Sequence, residues 1–283
     1  MTVQIVTTRD ALRAALGATR PGLVPTMGAL HAGHLSLIAR SANENPLTVV
    51  SVFVNPTQFS SPADLDRYPR TLKRDATVAG EVGANLIFAP DVSEIYPPGF
   101  DTVVEVGALA QRWEGASRPG HFRGVATVVA ILLNLVQPAR SYFGEKDYQQ
   151  LQIVRRSHRD LALPGEIVGC PTIRDDDGLA MSSRNTRLSR SDRSRAQAIP
   201  RAIDKVRTAA ALGEMEAGAL ERIARAELNR PGIDLDYAAV VAGDSLEPIP
   251  RLIPGARILI AANVGGIRLI DNAAIALPET APE

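Results

Sequence analysis

Hydrophobic and polar positions follow two different patterns along this chain, and the change between them divides it. Residues 47–54, Leu-Thr-Val-Val-Ser-Val-Phe-Val, are apolar and β-branched on both parities, the pattern of a parallel strand covered on two faces. Shorter strands are read at 22–25, 85–89, 140–143 and 166–169, the first of them taken as the opening strand of the core. Between them lie segments of helical period: 9–16, 32–43, a stretch resuming at Leu72, 125–136 and 153–161. Strands that alternate with helices predict βαβ units and a parallel sheet, an α/β arrangement. Past Pro171 the pattern changes. Residues 189–211 and 214–229 read as two amphipathic helices parted at Gly213, and strands follow at 234–241, 256–262 and 268–271, the last two joined by a hairpin turn through Gly265-Gly266. This second part reads as a smaller α+β domain with antiparallel pairing. The predicted division is therefore 1–172 and 173–283.

Composition narrows the function. A chain of 283 residues has room for one large and one small core, and 31 basic against 31 acidic residues leave no net charge for non-specific nucleic-acid binding. The single cysteine, Cys170, has no intramolecular partner, and with no signal-like opening the expected setting is a reducing cytoplasm. The longest apolar run, 125–133, is interrupted at Asn134, well short of the roughly 20 residues that span a bilayer.

The candidate chemistry gathers at strand ends, where ligand-contacting loops sit in such sheets. Pro25-Thr26-Met27-Gly28 leads from the first strand into His31-Ala32-Gly33-His34. Two histidines three apart at a helix start share one side of its N-terminus, where unpaired amides and a partial positive charge suit phosphate. Gly33 is expected to leave room for a ligand to approach the backbone. A metal pair fits less well, because no third zinc-type ligand with useful spacing is near. Lys146 and Asp147 follow the strand at 140–143, and a fixed lysine there has a task in stabilising a transferring phosphoryl group. Ser182-Ser183-Arg184 is either a helix-capping sequence or a phosphate clamp of two hydroxyls and one guanidinium fork. Asn55, Gln58 and Gln150 are neutral amides suited to a small hydroxy acid. Asp75, four residues past Thr71, is expected to face outward and to help hold magnesium through water. The Gly- and Pro-rich segment 115–124, with Arg118, His121 and Arg123, reads as a mobile basic loop; it and the loop 58–68 are the candidates to close over a reactive intermediate.

His31-Ala32-Gly33-His34 resembles the His-x-Gly-His element of the nucleotidyltransferase superfamily that includes class I aminoacyl-tRNA synthetases. Together with Phe53-Val54-Asn55-Pro56-Thr57-Gln58-Phe59, Tyr68-Pro69-Arg70-Thr71, Phe143-Gly144-Glu145-Lys146-Asp147-Tyr148-Gln149-Gln150 and Met181-Ser182-Ser183-Arg184-Asn185, it resembles the pantothenate synthetase family in order and spacing. The resemblance implies a Rossmann-like, doubly wound parallel sheet domain that binds ATP and pantoate, followed by a smaller α+β C-terminal lid domain, usually in a homodimer. It implies ATP-dependent joining of (R)-pantoate to β-alanine with Mg2+, by way of pantoyl adenylate and with release of AMP and pyrophosphate. On this basis His31, His34, Lys146, Ser182, Ser183 and Arg184 act on the ATP phosphates. Pantoate falls to Gln58 and Gln150, with Pro25, Thr26, Met27, Asn55, Phe59 and Tyr68 completing its pocket. ATP is further bound by Met27, Gly28, Gly33, Gly144, Asp147, Ile173 and Met181. Some members of the family carry two adjacent acidic residues where this chain has Arg74-Asp75, so the magnesium falls either to Asp75 alone or to ATP oxygens and water. The rival readings are another nucleotidyltransferase of the superfamily and a non-catalytic nucleotide-binding homologue.

Overall fold

The computed structural model describes residues 3–59 and 62–278. Its contacts divide the chain into two units: Met1–Glu145 with Gln149–Pro171, and Lys146–Tyr148 with Thr172–Glu283.

The first unit is built on six strands: β1 (Gln4–Val6), β2 (Gly22–Thr26), β3 (Thr48–Val52), β4 (Leu86–Phe88), β5 (Arg140–Gly144) and β6 (Glu166–Cys170). They lie in the order β1-β4-β3-β2-β5-β6, and every pair is parallel. The inner strands are apolar on both sides because helices cover both faces. On one face Val24, Val50, Ile87 and Tyr142 pack beneath Leu37 and Ile38 of the helix Ala32–Glu44 and Ala79 of the helix Leu72–Glu81. The helix His121–Val136 is buried over most of its surface, as its largely apolar sequence requires. It is too short and too enclosed to be anything but core, and no helix among the described residues is long and apolar enough to cross a membrane.

Strand order reverses between β2 and β5, the place where sheets of this kind open a ligand crevice beyond the strands' carboxyl ends. Here the ladder between them closes at only two positions, Gly22 with Arg140 and Leu23 with Ser141. Their remaining lengths diverge, and the residues that follow each strand are the two turns singled out above.

Three expectations need correction. The sheet does not begin at β2: β1 precedes it at the edge, three residues long with Gln4 and Ile5 exposed, too short and too wet to leave an apolar pattern. Residues 115–124 do not form a mobile loop. The helix Glu114–Ser117 occupies its start and the helix His121–Val136 begins inside it, with His121 and Phe122 buried. Gly115 and Gly124 serve close packing: a Cβ on Gly115 would collide with the Ala110 carbonyl, and one on Gly124 with that of Thr57. Residues 189–211 are two helices, Arg190–Ala196 and Ala198–Ala211. Pro200 has no N–H to continue a ladder and sits in the first turn of the second helix, where none is needed. Of the loop 58–68, residues 60 and 61 lie outside the described residues.

In the second unit β7 (Ile233–Val241), β8 (Arg257–Val264) and β9 (Ile267–Ala274) form an antiparallel sheet in that order. Ile199, Ile203, Val206 and Ala210 recur every three or four residues, so one stripe of the helix Ala198–Ala211 faces the core that includes Ile258 and Ile260 of β8. The helix Ala217–Leu228 adds Leu220, Ala224 and Leu228 to the same core.

Beside that core Glu227 is 3% exposed and accepts from Arg201 at 3.0 Å, Lys205 at 2.7 Å and Arg230 at 2.6 Å. Burial alone would raise its carboxyl, but these cations outweigh burial and hold it down at about 2. A depressed folded value stabilises above the unfolded range near 4.5 and is lost as pH falls through 2. Glu227→Gln is therefore expected to destabilise at neutral pH by about 2 kcal/mol, the loss of a charge-assisted network whose cations can rehydrate. Denaturant unfolding of both proteins across pH checks it: the gap should narrow between pH 5 and 2, and a gap independent of pH would contradict the assignment.

Candidate active site

The turn after β2 is built by Asp75. Gly28 and Ala29 both have positive φ, +84° and +52°, and for alanine that left-handed conformation is strained. Asp75 spans the turn: its two carboxylate oxygens accept from the backbone N–H of Ala29 and of Leu30, each at 2.9 Å, and Thr71 Oγ1 donates to it at 3.0 Å. Thr26 Oγ1 adds a second tie, donating to the Ser51 carbonyl and accepting from Gly28 N–H.

The strand end thus delivers His31 as the N-cap of the helix Ala32–Glu44. His31 Nδ1 accepts from Gly33 N–H at 3.2 Å, and His34 Nδ1 accepts from His31 N–H at 3.4 Å, a reciprocal box made by two imidazoles. The rings lie 4.1 Å apart, tilted by 38°. Because each Nδ1 accepts, the proton of each neutral ring sits on Nε2, and both rings are N–H donors at a helix N-terminus. Gly33 has a different task from the one expected of it. A Cβ there would come within 2.9 Å of His31 Cε1 and 3.0 Å of Nδ1, so the space that glycine leaves is filled by the capping imidazole itself.

A cluster of amides follows β3. Asn55 is buried and central: its Nδ2 donates to Gln58 Oε1 at 3.0 Å and to the Gly124 carbonyl, while its Oδ1 accepts from Tyr96 Oη and Thr57 Oγ1. Burial raises the Tyr96 phenol, which keeps it a donor. With its oxygen held by Asn55, Gln58 turns Nε2 toward Met27 Sδ at 3.0 Å. Its backbone carbonyl meets His121 Nδ1 at 2.9 Å, and Arg118 reaches the far nitrogen of that ring. Phe59 and Tyr68 pack edge to face. Pro25 and Thr26 lie at the end of β2 and Gln150 is half-buried on the helix Tyr148–Asp160. Sequence reading gave no weight to Tyr96 or Gly124, whose parts follow from packing and leave no local pattern.

Gly144 closes β5, and Glu145–Asp147 form one 3-10 turn. Lys146 is half-buried and lies 3.4 Å from the exposed Asp147 carboxylate. Within the second unit its backbone carbonyl accepts from Asn272 Nδ2 at 2.9 Å, Asn272 in turn is held by Arg257, and Arg257 stacks on the Tyr148 ring. Lys146, Ser182 and Arg184 line one cleft of this unit together with Asn185, Arg268 and Asp271. Asp271 is neutralised by a two-pronged pair with Arg174 and Arg268 is paired with Asp236, which leaves Lys146 and Arg184 as the cations of the cleft. Ser182 caps the 3-10 turn Ser183–Arg187 by accepting from Arg184 N–H, and Arg184 and Ser183 are exposed. Met181 N–H donates to the carbonyl of Ile173, itself 36% exposed. Arg268 falls on the strand read at 268–271, and Asn272 lies one residue beyond it.

Asp75 does not fit a resident magnesium site. Asp75 is fully buried and faces the strand end rather than solvent, with both oxygens already engaged, which corrects the outward ligand expected of it. Among the described residues no three His, Cys, Asp or Glu side chains gather as a metal site.

Known proteins resemble this chain over nearly its whole length. The family model described as pantoate-beta-alanine ligase matches residues 3–274. Pantothenate synthetase of Thermus thermophilus is 52% identical over 271 residues, 95% of this chain and 98% of its own length. That of Rhizorhabdus wittichii is 50% identical over 279 residues, 96% and 99% of the two chains. The crystal structure of the Thermus thermophilus enzyme superposes with a TM-score of 0.92 at 50% identity, covering 96% of this chain and 99% of that one. Pantoate-beta-alanine ligase of Francisella tularensis, solved with beta-gamma ATP and β-alanine, gives a TM-score of 0.78 at 34% identity over 99% and 100%. The chain belongs to the pantoate–β-alanine ligase family.

Proposed function

We propose that this chain joins pantoate to β-alanine in an ATP-driven reaction that passes through pantoyl adenylate. The observation that carries the reading is the pair of imidazoles whose Nδ1 atoms cap a helix N-terminus, followed along the sheet by a pocket of uncharged amides. The imidazoles suit phosphate oxygens; the amides suit a small hydroxy acid without adding charge.

In the first half the pantoate carboxylate attacks the α-phosphorus, an O–P bond forms and pyrophosphate leaves. His31 and His34 donate to phosphate oxygens as negative charge builds at phosphorus, and Lys146 adds a fixed cation. Ser182, Ser183 and Arg184 hold the departing phosphates. Gln58 and Gln150 bind the hydroxyl and carboxylate oxygens of pantoate, Met27 and Phe59 line its dimethyl carbon, and Pro25, Thr26, Asn55 and Tyr68 complete the pocket. Gly28, Gly144, Ile173, Met181 and Asp147 serve the nucleotide, the last through a ribose hydroxyl. In the second half the β-alanine amine attacks the acyl carbon, the C–O bond to phosphate breaks, and AMP leaves with the oxygen. ATP oxygens and water would hold magnesium, which would offset phosphate charge, since both Asp75 oxygens are engaged by the turn. Residues 1–172, apart from the turn 146–148 that groups with the second unit, serve as the ATP- and pantoate-binding domain, and that turn and 173–283 supply further phosphate donors. A cytoplasmic setting and a homodimer belong to the same reading.

The test is direct. Magnesium-ATP, pantoate and β-alanine should yield pantothenate, AMP and pyrophosphate, and pantoate labelled with 18O in its carboxylate should pass one label to AMP. A stable nucleotide-linked product would indicate another transferase, binding without turnover a regulator, and unlabelled AMP a route without the adenylate.

A further inference from the structure

We infer that Asp75 is a positioning residue of the reaction, acting through the turn that carries His31. The inference rests on the catalytic reading of the two histidines given above.

Among the described residues the carboxylate's hydrogen bonds stay within the turn and the helix start that holds it. Its partners are the amides of Ala29 and Leu30 and the hydroxyl of Thr71, and it is 0% exposed. Buried charge is retained only when hydrogen bonds satisfy it, and here three donors do so. What the charge holds is a segment that resists its own conformation. Ala29 sits at φ +52°, and Gly28 leaves no latitude, because a Cβ there would lie 3.0 Å from Asp75 Oδ2 and from Val52 Cγ1. Releasing Ala29 and Leu30 would let Ala29 return to negative φ and would turn the following residue, His31, away from its cap position. The box is reciprocal, so loss of His31 N–H as a donor also frees His34 Nδ1. One carboxylate therefore fixes the tautomer of both imidazoles without touching either. Arg74 donates to the Leu30 carbonyl at 3.3 Å, so the turn is gripped on its acceptor side as well.

The test uses Asp75→Asn, which keeps shape but offers an N–H where the turn needs an acceptor, and Thr71→Val, which keeps the carboxylate and removes one donor. The wild-type enzyme is assayed first; if it does not form pantothenate, the functional reading fails and this inference is judged on the spectroscopic arm alone. With activity in hand, Asp75→Asn is expected to lower kcat about 10²-fold, the scale of misplacing one transition-state donor, with a smaller loss in Thr71→Val. The Mg2+ concentration for half-maximal rate should stay unchanged in both. With only four histidines in the chain, 15N NMR can resolve the His31 and His34 rings. The wild type should show acceptor-type Nδ1 and protonated Nε2, and Asp75→Asn a mixture of tautomers. Activity recovered by raising Mg2+ would make Asp75 a metal ligand and overturn the inference, as would unchanged ring signals in a slow variant. Should Asp75→Asn fail to fold, Thr71→Val carries both readouts, and wild-type values in it would equally overturn the inference.

Discussion

His34→Ala is expected to slow adenylate formation by about 10²- to 10³-fold, the loss that follows removal of one preorganised donor to a developing charge. The alanine variant also strips the acceptor from His31 N–H, so part of its defect is structural. His34→Asn separates the two effects: a side-chain oxygen at this position can still accept from the helix start, but no N–H takes the place of Nε2. Thermal unfolding should therefore place His34→Asn near the wild type, with its pantoate- and ATP-dependent rate near that of His34→Ala. Recovery of rate along with stability would mean that His34 is a cap and nothing more. Lys146→Ala should show a rate loss of similar size without the stability loss, because the Lys146 carbonyl, not its side chain, holds the turn to Asn272.

Gly124→Ala should act on the other substrate. A Cβ at residue 124 would stand 2.5 Å from the Thr57 carbonyl oxygen, 2.6 Å from its carbon and 2.8 Å from Gln58 N, all main-chain atoms with no rotamer to swing aside. The helix His121–Val136 and the 3-10 turn Pro56–Gln58 must then part, and with them goes the Asn55 bond to the Gly124 carbonyl that aims Gln58. Overpacking of this kind costs about 1–3 kcal/mol, and misplacement of a positioning group by an ångström costs about 10²-fold in kcat/KM. The loss should appear in the kcat/KM for pantoate, with ATP binding measured by calorimetry nearly intact. A variant with normal pantoate kinetics would show that Gln58 is not aimed by this packing.

How much of this was legible depends on whether a residue's task is local. β3 announces itself because both its faces are buried, and the helix at Ala32 because its apolar stripe is regular. β1 stays silent, as a three-residue edge strand makes little demand on sequence. The paired histidines could be read as the first turn of a helix, yet their tautomer follows from Nδ1 contacts that only the folded backbone creates. Asp75 misled for the same reason: a helical wheel sees Asp75 among exposed neighbours and cannot see the strand-end amides brought against it by βα packing. The glycines between residues 115 and 124 read as freedom, whereas Gly115 and Gly124 mark places where main chain touches main chain. Asn272 and Arg257 sit more than a hundred residues from the lysine turn they hold, and no spacing rule spans that distance.

The grip on that turn bears on how this protein could have been inherited. Lys146–Tyr148 take their contacts from the second unit although their neighbours in sequence belong to the first. A gene fragment ending at Pro171 would encode the histidine turn and the amide cluster in full, but its lysine would ride on a turn stripped of Asn272 and Arg257. The C-terminal unit is thus no detachable appendage that a recombining gene could exchange at will: its β9 strand and the lysine turn must match, and a chimaera that joins units from distant relatives has to carry residues 146–148 from the same parent as β9.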